Sequence, residues 1–212
     1  MTEHDIQMIH KSPFKFVLVS SGGGSQTLSR LFSSPGASNS LLAAHIPYAQ
    51  ASMDQYLGYS PKLYCSLETT IKLAMTAFEE AKNLSSHKEP ILGVAATASL
   101  ATTYKKKGRH RFFLCVQSEA ATHTFSCYLI NDKRSRQEEE EIISQSLLAI
   151  ISRACGLAPN FPSIAEGFEH KITYGKKEWQ DLEQKKISYL CPQKKTIELI
   201  FQILIIKWHS IC

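Results

Sequence analysis

The sequence predicts a three-layer α/β/α sandwich with a mixed sheet, formed by one domain over residues 14–156 and followed by a linker and C-terminal extension over 157–212. Three observations predict this class. A continuous apolar run over residues 14–20 indicates a buried strand. Alternating runs over 111–117 and 122–130, joined by a short connection, indicate an antiparallel hairpin. Amphipathic helical patterns separate these strands, which favours a sheet with helices on both faces.

The elements before the middle of the chain follow from spacing and from breakers. After the first strand, three glycines interrupt the apolar run, and a helix is predicted whose apolar face carries Leu28, Leu31 and Phe32. A second helix is predicted over Ser38–His45, where leucines and alanines recur at helical spacing. The segment Ile46–Tyr48 is expected to be extended, because a residue before proline avoids the helical region.

The remaining helices have stronger patterns. A short helix is predicted over Ala51–Leu57, a long one over Ser66–Leu84 with an apolar stripe, and another over Glu140–Ala154. A further buried strand is predicted over Ile91–Ala95. The acidic run Glu138–Glu141 is interpreted as a solvated first turn, where the helix dipole favours negative charge.

The composition excludes several classes of protein. The chain has 212 residues and a mild net charge of +5, which argues against a nucleic-acid partner. The richest apolar run, residues 197–206, is shorter than the ~20 residues that a membrane helix needs. Six scattered cysteines form no C-x-x-C pair, so we expect reduced cytoplasmic thiols, no metal site and no cofactor.

The C-terminal segment differs from the rest of the chain. Residues 192–212 are dense in isoleucine, and exposure of such a stretch to water marks an interface or an aggregation hazard. The segment is either a helix that docks on the domain or on a partner chain, as in a homodimer, or the remnant of a longer protein.

A glycine loop at the end of the first strand is the first candidate site. Gly22, Gly23, Gly24 and Ser25 lie where a strand passes into a helix, and the backbone N–H groups of such a junction can hold an anion. The loop is neither a P-loop nor a G-x-G-x-x-G fingerprint. A plain tight turn is the alternative, and Ser21 is either a nucleophile at the strand end or an ordinary residue at a helix start.

A basic run over Lys105–Arg111 is the second candidate site. It is either a solvated loop around Gly108 or a phosphate contact, in which case Arg109 and Arg111 would bind the ligand.

The order of these motifs resembles the C-terminal domain of the CinA family, which includes nicotinamide-nucleotide amidases. Ser20–Ser25 lies on the family's E-S-C-T-G-G, and Ser34–Ser38 on its V-P-G-S-S. Tyr48 falls at the tyrosine of V-x-Y-S-N-x-x-K, and Leu57–Tyr59 at L-G-V. The register is kept without gaps from the glycine loop to the L-G-V motif, and the resemblance covers residues 14–156.

The resemblance implies a catalytic set that this chain only partly retains. Ser21, Tyr48 and Thr97 match the family's serine, tyrosine and threonine, but the lysine position is Met53, which cannot accept a proton. A subgroup of CinA-like domains also lacks the lysine. The strand end and the basic loop of that subgroup resemble Thr97–Thr102 and Lys107–Arg111 of this chain.

Because the lysine is missing, both the identity of the catalytic base and the function have alternatives. His45 or His123 could replace the lysine as base. The resemblance implies a domain that binds a small nucleotide or phosphate ligand with the amidase chemistry lost or weak. An active nicotinamide-nucleotide amidase and a structural or regulatory interaction domain are the other functions. For the site, we expect Ser21, the glycine loop, Tyr48 and Thr97 to converge on one pocket.

Overall fold

The structure of the chain is a computed structural model that describes residues 1–86, 89–104, 106–162 and 166–174. These residues form one compact unit, Met1–Tyr174. Residues 192–212, for which docking against apolar surface was predicted, lie outside the described residues.

A six-stranded mixed sheet lies at the centre of the unit, in the order β2-β1-β3-β4-β5-β6. β1 is parallel to β2 and β3, and the remaining neighbours are antiparallel. The predicted class is therefore confirmed. The first strand lies beside the strand at Ile91, and a hairpin follows, as predicted. The strands are β1 (Lys15–Ser21), β2 (Leu41–His45), β3 (Ile91–Ser99), β4 (Arg111–Gln117), β5 (Ala121–Tyr128) and β6 (Glu169–Tyr174).

Five α-helices and a short 3-10 turn at Ala37–Asn39 complete the unit. Side-chain caps define where the two longest begin: Ser66 accepts a hydrogen bond from the backbone of Thr69, and Ser135 forms a capping box with Glu138. The helices are α1 (Glu3–Lys11), α2 (Ser25–Ser33), α3 (Gln50–Leu57), α4 (Leu67–Leu84) and α5 (Arg136–Ala154).

Helices cover both faces of the sheet, and alternate residues of β1 belong to two separate cores. Phe16 and Leu18 pack in the core that contains buried residues of α1, α2 and α5. Val17 and Val19 pack in the core that contains buried residues of α3 and α4. A strand that is buried on both faces has no polar side, which is why β1 is a continuous apolar run.

Gly93 lets α4 approach the middle of the sheet. A Cβ atom at this position of β3 would lie 2.1 Å from the carbonyl oxygen of Ala74 and 2.3 Å from the backbone nitrogen of Phe78, both on α4. Any larger residue would push the helix away from the strand.

The prediction of a helix over Ser38–His45 was wrong. Leu41–His45 is β2, an edge strand that pairs in parallel with β1. The apolar residues of this short segment fit a helix or a strand, and the open edge of β1 decides in favour of the strand.

Two elements were not predicted at all. The N-terminal α1 begins with a capping box between Thr2 and Asp5 and buries Ile6 and Ile9 in the core. β6 pairs with β5, although every residue of β6 is exposed, so no apolar pattern indicates it.

Candidate functional site

The carboxyl ends of the parallel strands β1 and β3 form one edge of the sheet, and a cavity of about 410 Å³ lies beside it. Open α/β sheets bind ligands outside the carboxyl ends of their strands. The glycine loop and Tyr48, both predicted site elements, line this cavity together. Its lining residues are Ser20, Gly22, Gly23, Ser25, Ile46, Tyr48, Arg136, Gln137 and Glu140.

The glycines of the loop are required by its shape. Gly22 has a φ of +80°, and a Cβ there would lie 2.0 Å from the carbonyl oxygen of Ala98 on β3. Gly24 has a φ of +91° at the N-cap of α2. Left-handed backbone and close approach to a neighbouring strand both favour glycine, so the tight-turn interpretation of the loop is sufficient to explain these residues.

A carboxylate of the chain itself occupies the donors that were predicted to hold an anion. Glu140 accepts hydrogen bonds from the backbone N–H of Gly24 at 2.9 Å and of Gln26 at 3.3 Å, and from the hydroxyl of Ser25 at 2.9 Å. These donors form the N-terminus of α2, where the helix dipole favours negative charge. The N-terminus of α2 therefore does bind an anion, but that anion is the carboxylate of Glu140 and not a ligand.

The acidic run that carries Glu140 is not the solvated turn that was predicted. Glu139 is fully buried, and Glu140 is half-buried against the glycine loop. Successive residues of a helix are ~100° apart, so four consecutive glutamates cannot all face solvent. That geometry is the signal in the sequence that could have found Glu140.

Ser21 and Thr97 are neighbours on adjacent strands, but neither lines the cavity. They are register partners across β1 and β3, and both are buried. The Ser21 hydroxyl donates to the carbonyl oxygen of Pro47 at 3.0 Å, and the Thr97 hydroxyl lies 2.7 Å from that of Thr70 on α4. The two side chains therefore belong to the α4 face of the sheet, while Tyr48, which is 70% exposed, borders the cavity.

Met53, at the position of the family's lysine, is packed in the apolar core. It is 3% exposed and shares a cluster with Val19 of β1 and Ala95 of β3, the residues two positions before Ser21 and Thr97. An apolar thioether thus occupies the position of the family's lysine, in the core on the α4 face of the sheet.

The two histidines considered as replacement bases have other partners. The Nε2 atom of His45 lies 2.8 Å from a carboxylate oxygen of Glu80, and the other oxygen accepts the Tyr56 hydroxyl at 3.0 Å. Burial, reinforced by Glu80, raises the pKa of Tyr56 well above its usual range. His123 lies on β5, three strands from β1 and therefore ~14 Å away, and its ring stacks on that of His170.

The residues of the basic run Lys105–Arg111 contact different parts of the structure. Arg109 lies over the ring of Tyr128, and Arg111 donates to the carbonyl oxygen of Cys65. Neither of them lines the cavity beside the glycine loop, and Lys105 lies outside the described residues.

A second cavity, of about 330 Å³, is bordered by Lys106 and His110 of the basic run Lys105–Arg111, and by Arg134 and Arg136, which the sequence analysis did not single out. Arg136 borders both cavities. The residues that line the second cavity are Ala101, Thr102, Thr103, Tyr104, Lys106, His110, Asp132, Arg134, Ser135 and Arg136.

Within the described residues, no group of three or more His, Cys, Asp or Glu side chains is arranged to hold a metal ion. No helix among these residues combines the length and hydropathy that a membrane span requires. The described cysteines are free thiols, and burial raises the pKa of Cys115 and Cys127 to about 12.

Comparison with solved structures identifies the fold. A competence-damaged protein (CinA) superfamily protein from Enterobacter cloacae superposes with a TM-score of 0.58 at 12% identity, over 72% of this chain and 89% of that chain. A competence or damage-inducible protein from Enterobacter asburiae gives 0.56 at 12% identity, over 72% and 95%. The competence/damage inducible protein CihA from Agrobacterium tumefaciens gives 0.52 at 15% identity, over 73% and 91%.

Comparisons with protein-family models and with curated protein sequences gave no match. The structural likeness therefore rests on topology, at identities that carry the fold alone. The described unit therefore has the fold of these CinA superfamily structures.

Proposed function

We propose that this CinA-like domain binds a small phosphorylated ligand, of the nucleotide class, at the carboxyl edge of its sheet, and that it does not hydrolyse amides at a significant rate. One observation carries the loss of hydrolysis: Met53 is buried in the apolar core where the resemblance places a lysine.

The surroundings of Ser21 support this loss. A serine attacks an amide only when a base removes its proton and donors stabilise the oxyanion. The hydroxyl of Ser21 donates to the carbonyl oxygen of Pro47, which is an acceptor but not a base. The α2 donors of the neighbouring glycine loop already bind Glu140 and are not free for an oxyanion.

The cavity beside the glycine loop supports ligand binding. A volume of about 410 Å³ falls in the range of small-molecule sites. It is bordered by the exposed aromatic ring of Tyr48, by Ile46 and by the guanidinium of Arg136. An aromatic side chain beside a cation suits a ligand that has a flat ring and an anionic group.

The experiment has two parts. Ammonia release from nicotinamide mononucleotide is measured with the wild-type protein and the Ser21→Ala variant, with a CinA-type amidase as positive control. We expect no release above background from either protein. Thermal-shift titrations with nucleoside monophosphates then test binding, with Arg136→Gln compared against Arg109→Gln, since Arg109 does not line the cavity.

Each alternative function has a distinct outcome. Release by the wild type that is abolished by Ser21→Ala identifies an active amidase, and its dependence on His45→Ala then tests the imidazole paired with Glu80 as the base. If no nucleotide shifts the melting temperature, the ligand-binding proposal is wrong and an interaction domain is the remaining function.

A further inference from the structure

We propose that the second cavity is a phosphate subsite, and that the anionic group of the ligand binds there and not at the glycine loop. The cavity lies between the loop after β3, of which Ala101–Tyr104 and Lys106 line it, and the first residues of α5. The inference rests on the proposed function only for the organic part of the ligand. Binding of the phosphate group itself can be tested separately, with inorganic phosphate.

Two cations at this cavity form no ion pair with a carboxylate of the described residues. The ammonium of Lys106 donates to the carbonyl oxygen of Leu100 at 2.7 Å and to the hydroxyl of Ser99 at 3.2 Å. The guanidinium of Arg136 donates to the carbonyl oxygens of Ala101 at 3.1 Å and Gly22 at 3.3 Å. These bonds fix the positions of both groups, and every acceptor in them is neutral, so both cations can still bind an anion.

The two cations act on each other electrostatically. Burial, followed by the charge of Arg136, lowers the pKa of Lys106, while the charge of Glu139 acts in the opposite direction. An oxyanion between the two groups would relieve this repulsion, and Arg and Lys are the side chains that bind phosphate in proteins.

The acidic groups near the cavity are largely engaged elsewhere. Glu166 binds Arg134 through both oxygens, at 2.7 and 2.9 Å. Glu139 is fully buried and accepts the backbone N–H of Ala101 at 2.7 Å, besides its bond to His110. Asp132 also borders the cavity and is exposed to solvent.

His110 provides a ring nitrogen at the same cavity. The residue is 4% exposed, and its Nδ1 atom lies 2.7 Å from Glu139. Its Nε2 atom has no hydrogen-bond partner among the described residues, and His110 lines the cavity. This nitrogen is not among the buried atoms that lack a partner, so it is open to solvent and can contact an anion in the cavity.

The first turn of α5 adds backbone donors that Glu138 does not use. The capping box satisfies the N–H groups of Ser135 and Glu138. The N–H groups of Arg136 and Gln137 lie in the first turn, where no intrahelical acceptor exists and the dipole favours an anion. At the N-terminus of α2, by contrast, the carboxylate of Glu140 already holds the equivalent donors.

Arg136 connects this subsite to the cavity beside the glycine loop, because it borders both. A phosphate in the second cavity would therefore place the rest of a nucleoside monophosphate toward Tyr48. The ligand class that fits is a phosphate monoester with a flat ring system.

The test titrates inorganic phosphate into the full chain and follows backbone amide shifts by NMR. We expect saturable shifts at Ala101, His110 and Gln137, with little change at Gly22–Gly24. Lys106→Gln and Arg136→Gln should each weaken phosphate binding by about tenfold or more, the loss expected for one charge-assisted hydrogen bond.

Matched variants separate the subsite from general effects of charge and folding. Arg109→Gln removes the same charge from an exposed residue of the basic loop that lines neither cavity, and we expect less than about twofold change. Lys106→Arg keeps the charge and should retain binding. Thermal melts of each variant verify that it is folded.

Two results would overturn the subsite. One is the lack of saturable phosphate binding by the folded wild type. The other is binding that shifts Gly22–Gly24 and becomes stronger in Glu140→Gln, since that would place the anion at the glycine loop. Phosphate binding without nucleotide binding would leave the subsite intact and contradict the proposed function.

Discussion

Replacement of Glu140 by alanine tests the contact that closes the glycine loop. The variant removes three hydrogen bonds, to the backbone of Gly24 and Gln26 and to the hydroxyl of Ser25. It also removes the negative charge at the N-terminus of α2.

The size of the effect follows from these contacts. Each hydrogen bond to a charged group contributes ~1.5–3 kcal/mol, and a carboxylate at a helix N-terminus adds ~0.3–1 kcal/mol. Because Glu140 is half-buried and borders an open cavity, water replaces it as an acceptor in the variant. We therefore expect the free energy of unfolding to fall by about 2 kcal/mol, the value of one such bond and well below the sum of three, because water restores most of the lost hydrogen bonds.

The neighbouring Glu141 provides a matched control on the same helix. Its carboxylate binds Arg30 at 2.6 Å, in a pair whose side chains are 28% and 40% exposed. Exposed pairs of this kind contribute ~0–1 kcal/mol, so Glu141→Ala should lower the stability less than Glu140→Ala.

Urea unfolding followed by circular dichroism measures both variants, and thermal melts should show a decrease of ~4–8 °C for Glu140→Ala. Equal losses for the two variants, or no loss for Glu140→Ala, would refute the assignment of this carboxylate to the loop donors.

The other predictions concern packing, a buried carboxylate and pH. Gly93→Ala places a methyl group 2.1 Å from a helix carbonyl oxygen and should destabilise the domain by ~3 kcal/mol or more in urea unfolding. Gly108→Ala meets no atom closer than 3.8 Å and should be nearly neutral, and equal effects of the two substitutions would contradict the close approach of α4. Glu139→Ala removes a fully buried carboxylate that accepts the backbone N–H of Ala101 and lies 2.7 Å from the His110 ring, and it should lower the free energy of unfolding by ~3 kcal/mol. A loss no larger than that at an exposed residue would contradict these buried contacts. The hydrogen bond from Arg134 lowers the pKa of Glu166 to about 2, against ~4.3 for an unfolded glutamate. The unfolded chain therefore binds more protons between these values, and the free energy of unfolding should fall as the pH falls through that window. In Glu166→Gln this fall should be smaller, and an unchanged acid limb would contradict the pKa shift.

The sequence alone determined the parts of this protein that depend on local pattern. The strand at the apolar run of β1, the β4–β5 hairpin and the helices α4 and α5 are all confirmed, although the hairpin is buried almost continuously and not on alternate residues. The glycine loop was predicted at the end of β1 because three consecutive glycines interrupt the apolar run. Of the residues expected in one pocket, the glycine loop and Tyr48 line one cavity, whereas Ser21 and Thr97 do not.

The tertiary structure decided everything that depends on contacts between distant segments. Glu140 binds Gly24 across 116 positions of sequence, and its local pattern is only that of an acidic first turn. Residues 41–45 form a strand because β1 offers a free edge, although their apolar spacing also fits a helix. Lys106 and Arg136 border one cavity because the fold brings the loop after β3 beside the start of α5. Periodicity reports which face of an element is buried, whereas the partner on that face is set by packing, which no short stretch of sequence contains.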